Sequence, residues 1–189
     1  KVALVNEKDM GDKAQAFDAL LLAWTQDFTN DESARELERI AGLTQRWNEV
    51  LHVANQSLQD VAADDVATRN AICLKCARWY AREGHPDYAI PFLQQVLTID
   101  PLNLPAMKQM ADLYQQTQQW PVYAQVLRKL SDMTEDVHER AEVCVRLGSL
   151  QEEQFHSPDQ AIKLYREALE AVPSQLDALK ALERMYRSR

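Results

Sequence analysis

The sequence contains the same pattern of residues twice, 72 positions apart. Residues 84–101 read GHPDYAIPFLQQVLTIDP, and residues 156–173 read HSPDQAIKLYREALEAVP. A second pair has the same spacing: residues 104–114 read LPAMKQMADLY, and residues 176–186 read LDALKALERMY. Self-similarity at a fixed long spacing is typical of proteins that stack one supersecondary unit many times. The sequence therefore predicts an array of repeated units.

The repeated unit is predicted to be helical. From about residue 13 onward, apolar residues recur at intervals of three and four, which is the spacing of an amphipathic helix. The pattern divides into about ten helices joined by short turns. Asp64 or Asp65 suits an N-cap and Gly84 a C-cap, while Pro86 and Pro91 lie close enough to a helix start to be tolerated. Helices this short need partners for their apolar faces, and the short turns make consecutive helices pack antiparallel. The spacing of 72 residues then divides into two helical hairpins of about 36 residues each.

These hairpins resemble the tetratricopeptide repeat (TPR), a helix–turn–helix unit of about 34 residues. The copy at 70–103 has the small residues, tyrosine, turn glycine and closing proline of that repeat at Ala77, Tyr80, Gly84, Ala89 and Pro101. Three further copies match the repeat in part. The copy that begins near Ala141 has Gly148, Ala161, Tyr165, Ala168 and Pro173. The copy before it has Met107, Met110, Ala111 and Tyr114, and the copy that begins at Asp31 has Ala34, Leu37 and Ile40. The usual tryptophan of the first helix is missing from every copy, and Ala41 replaces the tyrosine in the first copy.

The resemblance implies an all-α fold, a right-handed superhelix (α-solenoid) of about five stacked hairpins. We expect a single repeat domain at 13–187 behind an N-terminal tail at 1–12. Its hairpins are expected near 31–69, 70–103, 104–140 and 141–175, with an unpaired helix at each end. Such ends should expose apolar side chains, so we expect self-association through the terminal helices. Because the chain begins with Lys1 rather than Met, we expect it to be part of a longer protein.

The overall charge limits the kinds of partner. The formal net charge is −8 and the isoelectric point is near 5.0, which argues against general binding to nucleic acids or to anionic membranes. No run of about 18 apolar residues is present, so we expect no membrane insertion. The three cysteines are an odd number, which favours a reducing compartment such as the cytoplasm over a disulfide framework.

The most conspicuous chemical motif is Cys73-Leu-Lys-Cys76. A Cys-x-x-Cys pair can act in redox chemistry or supply half of a zinc site. A zinc site needs two more ligands, however, and Cys144 is a full period of the array away, so core packing is the favoured interpretation for all three cysteines. The histidines are scattered, and His85 and His156 lie in equivalent turns. No residues form a catalytic set, so we expect no enzyme activity, metal or cofactor.

The predicted functional surface is the concave groove that the first helices of TPR hairpins line, as the resemblance implies. Its basic residues are Arg35, Arg39, Arg78, Arg82, Lys108, Lys180 and Arg184. The hypothesis is that this face binds an acidic peptide or protein partner through Arg–carboxylate pairing. The alternative is a merely solvated face, because the same groove would also contain Asp112, Glu142, Glu152 and Glu153.

Two further observations narrow the ligand. TPR proteins that bind the C-terminal carboxylate of a chaperone share a Lys-x-x-x-Asn pair. This chain has Lys108-x-x-x-Asp112, with an acidic residue in place of the asparagine, so a chaperone C-terminal tail is not the expected ligand. The four tryptophans are interpreted as packing residues rather than as a ligand platform. Among them, Trp47 and Trp120 are expected to begin equivalent helices.

The sequence thus predicts a protein–protein interaction scaffold or adaptor without catalysis of its own. The alternative is a regulatory or targeting segment of a larger enzyme or signalling protein. Nucleic-acid binding by a helical array is disfavoured by the charge.

Overall fold

The computed structural model describes residues 13–187, and the predicted N-terminal tail at 1–12 lies outside them. The described residues form ten helices and no strand, as the sequence predicts. The helices are α1 (Lys13–Gln26), α2 (Asp31–Thr44), α3 (Trp47–Asp60), α4 (Val66–Arg82), α5 (Pro86–Ile99), α6 (Leu104–Gln116), α7 (Trp120–Met133), α8 (Val137–Glu153), α9 (Pro158–Ala171) and α10 (Leu176–Arg187). None of these helices is both long and apolar enough to cross a bilayer.

The helices fall into two compact units that divide after Pro101. Unit 1 contains α1–α5, in which α1 packs against α2, and α4 packs against both α3 and α5. Unit 2 contains α6–α10, in which α6 pairs with α7, α8 with α9, α7 also contacts α8, and α10 packs against α9. Each unit is therefore built from consecutive helices that cover one another, as expected of stacked hairpins.

The first helices of the hairpins begin with acidic or amide N-caps. The side-chain oxygens of Asn30, Asp65, Asn103 and Asp136 accept backbone N–H groups at 2.8–3.1 Å, at the starts of α2, α4, α6 and α8. The caps at Asp65 and Asp136 begin 17-residue helices, one turn earlier than the expected hairpin boundaries. The boundaries expected at 69/70 and 140/141 consequently fall inside α4 and α8.

The turn within each hairpin contains one residue in the left-handed region. The four residues are Gln45, Gly84, Gln118 and His156, with φ between 50° and 82°. Glycine is the residue that adopts this conformation without strain, so Gly84 fits its turn best. His156 is exposed, and its backbone adopts the left-handed conformation that the turn requires.

The core of unit 1 is centred on three buried tryptophans. The ring centroids of Trp24 and Trp79 are 5.0 Å apart, and those of Trp47 and Trp79 are 6.3 Å apart. All three side chains are at most 4% exposed, which confirms the interpretation of these tryptophans as packing residues. Since they come from α1, α3 and α4, one aromatic cluster joins three helices of the unit.

Small residues lie buried where the repeat pattern requires close helix packing. Ala77, Ala89 and Ala161 are at most 1% exposed, as predicted from the resemblance. Pro91, in contrast, lies in the second turn of α5 rather than the first. Its missing N–H leaves a carbonyl of the first turn without its helical partner, which is tolerable because α5 is otherwise held by its packing on α4.

In unit 2, Tyr165 of α9 packs directly over Gly148 of α8. A Cβ atom added at Gly148 would lie 2.6–2.9 Å from three ring atoms of Tyr165. The ring is 1% exposed, and its hydroxyl donates to Glu152 Oε2 at 3.1 Å and lies 3.2 Å from Ser149 Oγ. The ring is therefore held at both its face and its tip, so it cannot move away from a side chain on Gly148.

We expect Gly148→Ala to destabilise the protein by about 1–3 kcal/mol, because the methyl group overpacks the α8–α9 contact. The measurement is the free energy of unfolding from urea denaturation followed by circular dichroism. Gly42→Ala is the matched control, since a Cβ there meets nothing within 4 Å and the helix α2 should gain about 0.5 kcal/mol. Equal stability of the Gly148→Ala variant and the unaltered chain would show that Tyr165 does not pack tightly over Gly148.

Candidate protein-binding surface on the first helices

The candidate surface is the set of charged side chains on the first helices of the hairpins. We call the part on α2 and α4 the α2/α4 surface, and the part on α6, α8 and α10 the unit 2 surface. All seven basic residues predicted from the sequence lie on these helices, and Arg35 and Lys180 are both exposed.

Glu38 of α2 organises the α2/α4 surface. Its Oε2 accepts Trp79 Nε1 at 3.3 Å and Arg78 Nη2 at 2.9 Å, and its Oε1 accepts Arg82 Nη1. The Glu38 side chain is 16% exposed, whereas Arg78 and Arg82 are 46% and 54% exposed. One carboxylate thus anchors two of the predicted arginines on α4 and leaves about half of each side chain accessible.

The remaining cations of this surface are distributed unevenly. The α4 sequence contains Arg69, Lys75, Arg78 and Arg82 but no acidic residue. The largely buried Lys75 donates to Asp31 Oδ1 at 3.0 Å, and this hydrogen bond lowers the pKa of Asp31. On α2, Arg39 pairs with Glu36 at 3.0 Å. Arg35 has no ion pair within 4.0 Å among the described residues.

The unit 2 surface pairs three of its cations, Lys108, Arg146 and Arg184, each with a carboxylate of its own. Lys108 Nζ donates to Glu139 Oε2 at 2.8 Å, and Arg184 Nη2 donates to both carboxylate oxygens of Glu152 at 2.8 Å. A third pair joins Arg146 Nη2 to Asp112 Oδ1 at 3.0 Å. Arg146 also donates to Tyr123 Oη at 2.9 Å and lies over its ring. These contacts link α6 to α8 and α8 to α10.

The two surfaces therefore differ in electrostatic character. On unit 2, each of Lys108, Arg146 and Arg184 has its own acid, so little positive potential is left. On the α2/α4 surface, Lys75 pairs with Asp31, Arg78 and Arg82 share Glu38, and Arg35 has no ion-pair partner among the described residues. The basic character that the sequence suggested for all the first helices is thus concentrated on α2 and α4. Partner binding by any of the seven residues stays a prediction.

Sequence reasoning missed Glu38, Glu139 and Arg146. Each pairs with a residue at least 23 positions away, so no local spacing indicates the contact. A weak indication existed for Glu38, since it follows Arg35 by three positions and must lie near the same side of α2.

The three cysteines are packing residues, as predicted. Cys73, Cys76 and Cys144 are at most 7% exposed. Burial raises the pKa of the Cys73 thiol to about 11 and also raises the pKa values of Cys76 and Cys144. Across residues 13–187, no group of three or more His, Cys, Asp or Glu side chains is placed to hold a metal ion.

Comparisons with known proteins show the fold. No model of a known protein family matches the sequence, and no curated protein matches it. The structure is similar to that of YrrB, described as a TPR protein with an unusual peptide-binding site (TM-score 0.60, 12% identity, covering 94% of this chain and 87% of YrrB). It is also similar to MamA (TM-score 0.60, 17% identity, 78% and 81% covered) and to a MamA RS-1 double mutant (TM-score 0.60, 14% identity, 93% of both chains).

We expect the thiols of the folded protein to react slowly with a thiol-specific disulfide reagent. At pH 8 a thiol with pKa 11 has about 100-fold less thiolate than one with the ordinary value of 9.0, and the thiolate is the reacting form. The rate for Cys73 should rise about tenfold per pH unit until the pH approaches its pKa.

The control for this measurement is the same chain in guanidinium chloride, where all three thiols should react rapidly. A single thiol that reacts in the folded state as fast as in the unfolded state would contradict the burial of that cysteine. It would also reopen a redox or metal-binding interpretation of Cys73-x-x-Cys76.

Proposed function

We propose that this chain, which has the TPR fold, is a protein-interaction module that binds an acidic segment of a partner protein on its α2/α4 surface. The observation that carries the proposal is the excess of cations over acids on that surface. Arg78 and Arg82 share a single carboxylate, Glu38, and Arg35 has none within ion-pair distance.

The half-exposed guanidinium groups of Arg78 and Arg82 can donate hydrogen bonds to a further carboxylate. A guanidinium has five N–H donors, and the contacts with Glu38 use only part of those on Arg78 and Arg82. A partner carboxylate can therefore bind without displacing Glu38, which would keep both side chains in position. Such preorganised arginines lose little side-chain entropy on binding.

Charge also favours this surface over the rest of the chain. The formal net charge is −8, so an acidic partner is repelled generally and attracted locally. The charges therefore orient the acidic partner as it approaches the α2/α4 surface, and they do not by themselves provide tight binding. The resemblance to YrrB supports a peptide as the kind of ligand, but fold-level similarity does not select the binding residues.

Lys108, Lys180 and Arg184 would have a smaller part in this function. Lys108 and Arg184 are already paired with Glu139 and Glu152, so a ligand would have to compete with those contacts. Use of the chain as a regulatory or targeting segment of a larger enzyme or signalling protein would employ the same α2/α4 surface. The experiment below therefore tests both uses.

We expect Arg78→Gln/Arg82→Gln to weaken binding of a fluorescein-labelled, Asp- and Glu-rich peptide by about tenfold or more, because two charge-assisted hydrogen bonds are lost. Fluorescence anisotropy measures the affinity. Binding to the unaltered protein should also weaken as salt is raised, since the arginines are exposed.

Arg128→Gln/Lys129→Gln on α7 is the matched control, because it removes the same net charge from two exposed side chains outside the α2/α4 surface. It should leave the affinity nearly unchanged. The proposal fails if both double variants bind the acidic peptide equally well, or if a Lys-rich peptide of the same length binds as tightly.

A further inference from the structure

The α2/α4 surface contains two ion pairs with the same offset between the helices. Asp31 of α2 pairs with Lys75 of α4 at 3.0 Å, and Glu38 of α2 pairs with Arg82 of α4. Both pairs join residues that are 44 positions apart in the sequence. The two helices therefore keep this offset over the roughly two helical turns that separate the pairs.

Between these two ion pairs, the surface brings two cations together. Arg35 follows Asp31 by four positions and precedes Glu38 by three, so all three lie on one side of α2. The offset of 44 places Arg35 level with position 79 of α4, which is next to Arg78. Lys75 lowers the pKa of Asp31 most, and the charges of Arg35 and Arg78 lower it further, as expected of cations that lie close to that carboxylate.

Arg35 is the cation of this surface that no acid compensates. Its exposed guanidinium forms no hydrogen bond and no ion pair with any side chain of residues 13–187. The other acids of α2, Glu32 and Glu36, do not come within 4.0 Å of it, and Glu36 pairs with Arg39 instead. A net charge of +2 remains on the six facing side chains, which are Asp31, Arg35, Glu38, Lys75, Arg78 and Arg82. The surface therefore matches an anion with two negative charges.

A phosphoryl group on serine or threonine matches this charge better than a single carboxylate does. It has a charge of about −1.5 to −2 at pH 7 and three acceptor oxygens, whereas a carboxylate has a single charge and two oxygens. Arginine binds such oxygens in pairs, and clusters of arginines recognise phosphorylated segments of proteins. The N–H groups of Arg35, and those of Arg78 that do not contact Glu38, are the donors for these oxygens.

We propose that Arg35 and Arg78, with Arg82 beside them, form a binding site for a phosphoserine or phosphothreonine side chain of the partner's acidic segment. The phosphoryl group lies between Arg35 and Arg78 and supplies the anion that is missing between the two ion pairs. Both oxygens of Glu38 already accept arginine N–H groups, so Glu38 holds Arg78 and Arg82 in position. This assignment rests on the proposed function, because the phosphoryl group belongs to the segment that the α2/α4 surface binds.

The first test compares two fluorescein-labelled peptides of equal net charge at pH 7.5. One peptide contains a single phosphoserine, and the other has Glu at that position and a second Glu in place of a neutral residue. We expect the phosphopeptide to bind about tenfold more tightly by fluorescence anisotropy, because its two charges are concentrated between two arginines. Equal affinities would overturn this assignment and leave the proposed function intact, whereas failure of both peptides to bind would overturn both.

A single substitution tests the location of the site. Arg35→Gln should weaken phosphopeptide binding about tenfold and glutamate-peptide binding by no more than about threefold, because Arg78 and Arg82 remain. Arg128→Gln on α7 is the matched control, since it removes one exposed cation outside the α2/α4 surface and should keep the preference for the phosphopeptide. A preference that persists unchanged in Arg35→Gln would place the phosphoryl group elsewhere and overturn the assignment.

Competition with inorganic phosphate tests whether the phosphoryl group must be part of a peptide. At constant ionic strength, inorganic phosphate should displace the labelled phosphopeptide only at a concentration at least about 100-fold higher than the unlabelled phosphopeptide requires, because the flanking acidic residues add contacts. Displacement at equal concentrations would identify a free phosphate ion as the ligand and would overturn the assignment to a phosphorylated segment.

Discussion

The structure depends on one constraint, which is that no helix within residues 13–187 is long enough to be stable without a neighbour on its apolar face. The helices contain 12–17 residues, a length at which isolated helices are marginal in water. Buried alanines allow the neighbours to approach closely, and large side chains such as Trp79 and Tyr165 fill the space between helices. Each helix is thus stabilised mainly by the helices next to it, which is why the fold can be extended by repetition.

The same stacking decides what the surface charges can do. Ion pairs between the first helices of successive hairpins, such as Glu38–Arg82 and Glu152–Arg184, stabilise the stack and reduce the charge available to a ligand. In unit 2 this pairing is complete for Lys108, Arg146 and Arg184. On α4 it is incomplete, because four cations occur on a helix without acids. Binding capacity therefore remains where the pairing leaves an excess of cations.

The sequence predicted the helices from local spacing and the repeat from self-similarity at a spacing of 72 residues. Three features follow from neighbouring positions: the intervals of three and four, the proline at the start of α5 and of α9 (Pro86 and Pro158), and the buried Ala77 and Ala161. The hairpin boundaries expected near 69/70 and 140/141 lie one turn inside α4 and α8, because the repeat pattern alone does not include the first turn that Asp65 and Asp136 cap.

The electrostatics of the surface could be predicted only in outline, since its pairs form between helices. The contact of Glu38 with Arg82 spans 44 positions, and it depends on how α2 is rotated against α4, which the apolar periodicity of each helix does not specify. The sequence therefore identified the basic residues of the first helices, but it did not identify the acidic residues that pair with them, such as Glu38 and Glu139.

Repetition also makes an uncovered helix face recognisable. Each residue has counterparts in other repeats, and the burial of those counterparts shows whether a neighbouring helix usually covers the position. An exposed leucine on an irregular surface needs no explanation, because apolar atoms form much of any protein surface. Leu179 and Tyr186 are different, because Met107 and Tyr114 show that the same positions are buried when a second helix is present. The comparison within one chain thus shows which side chains of α10 occupy positions that a second helix covers at α6.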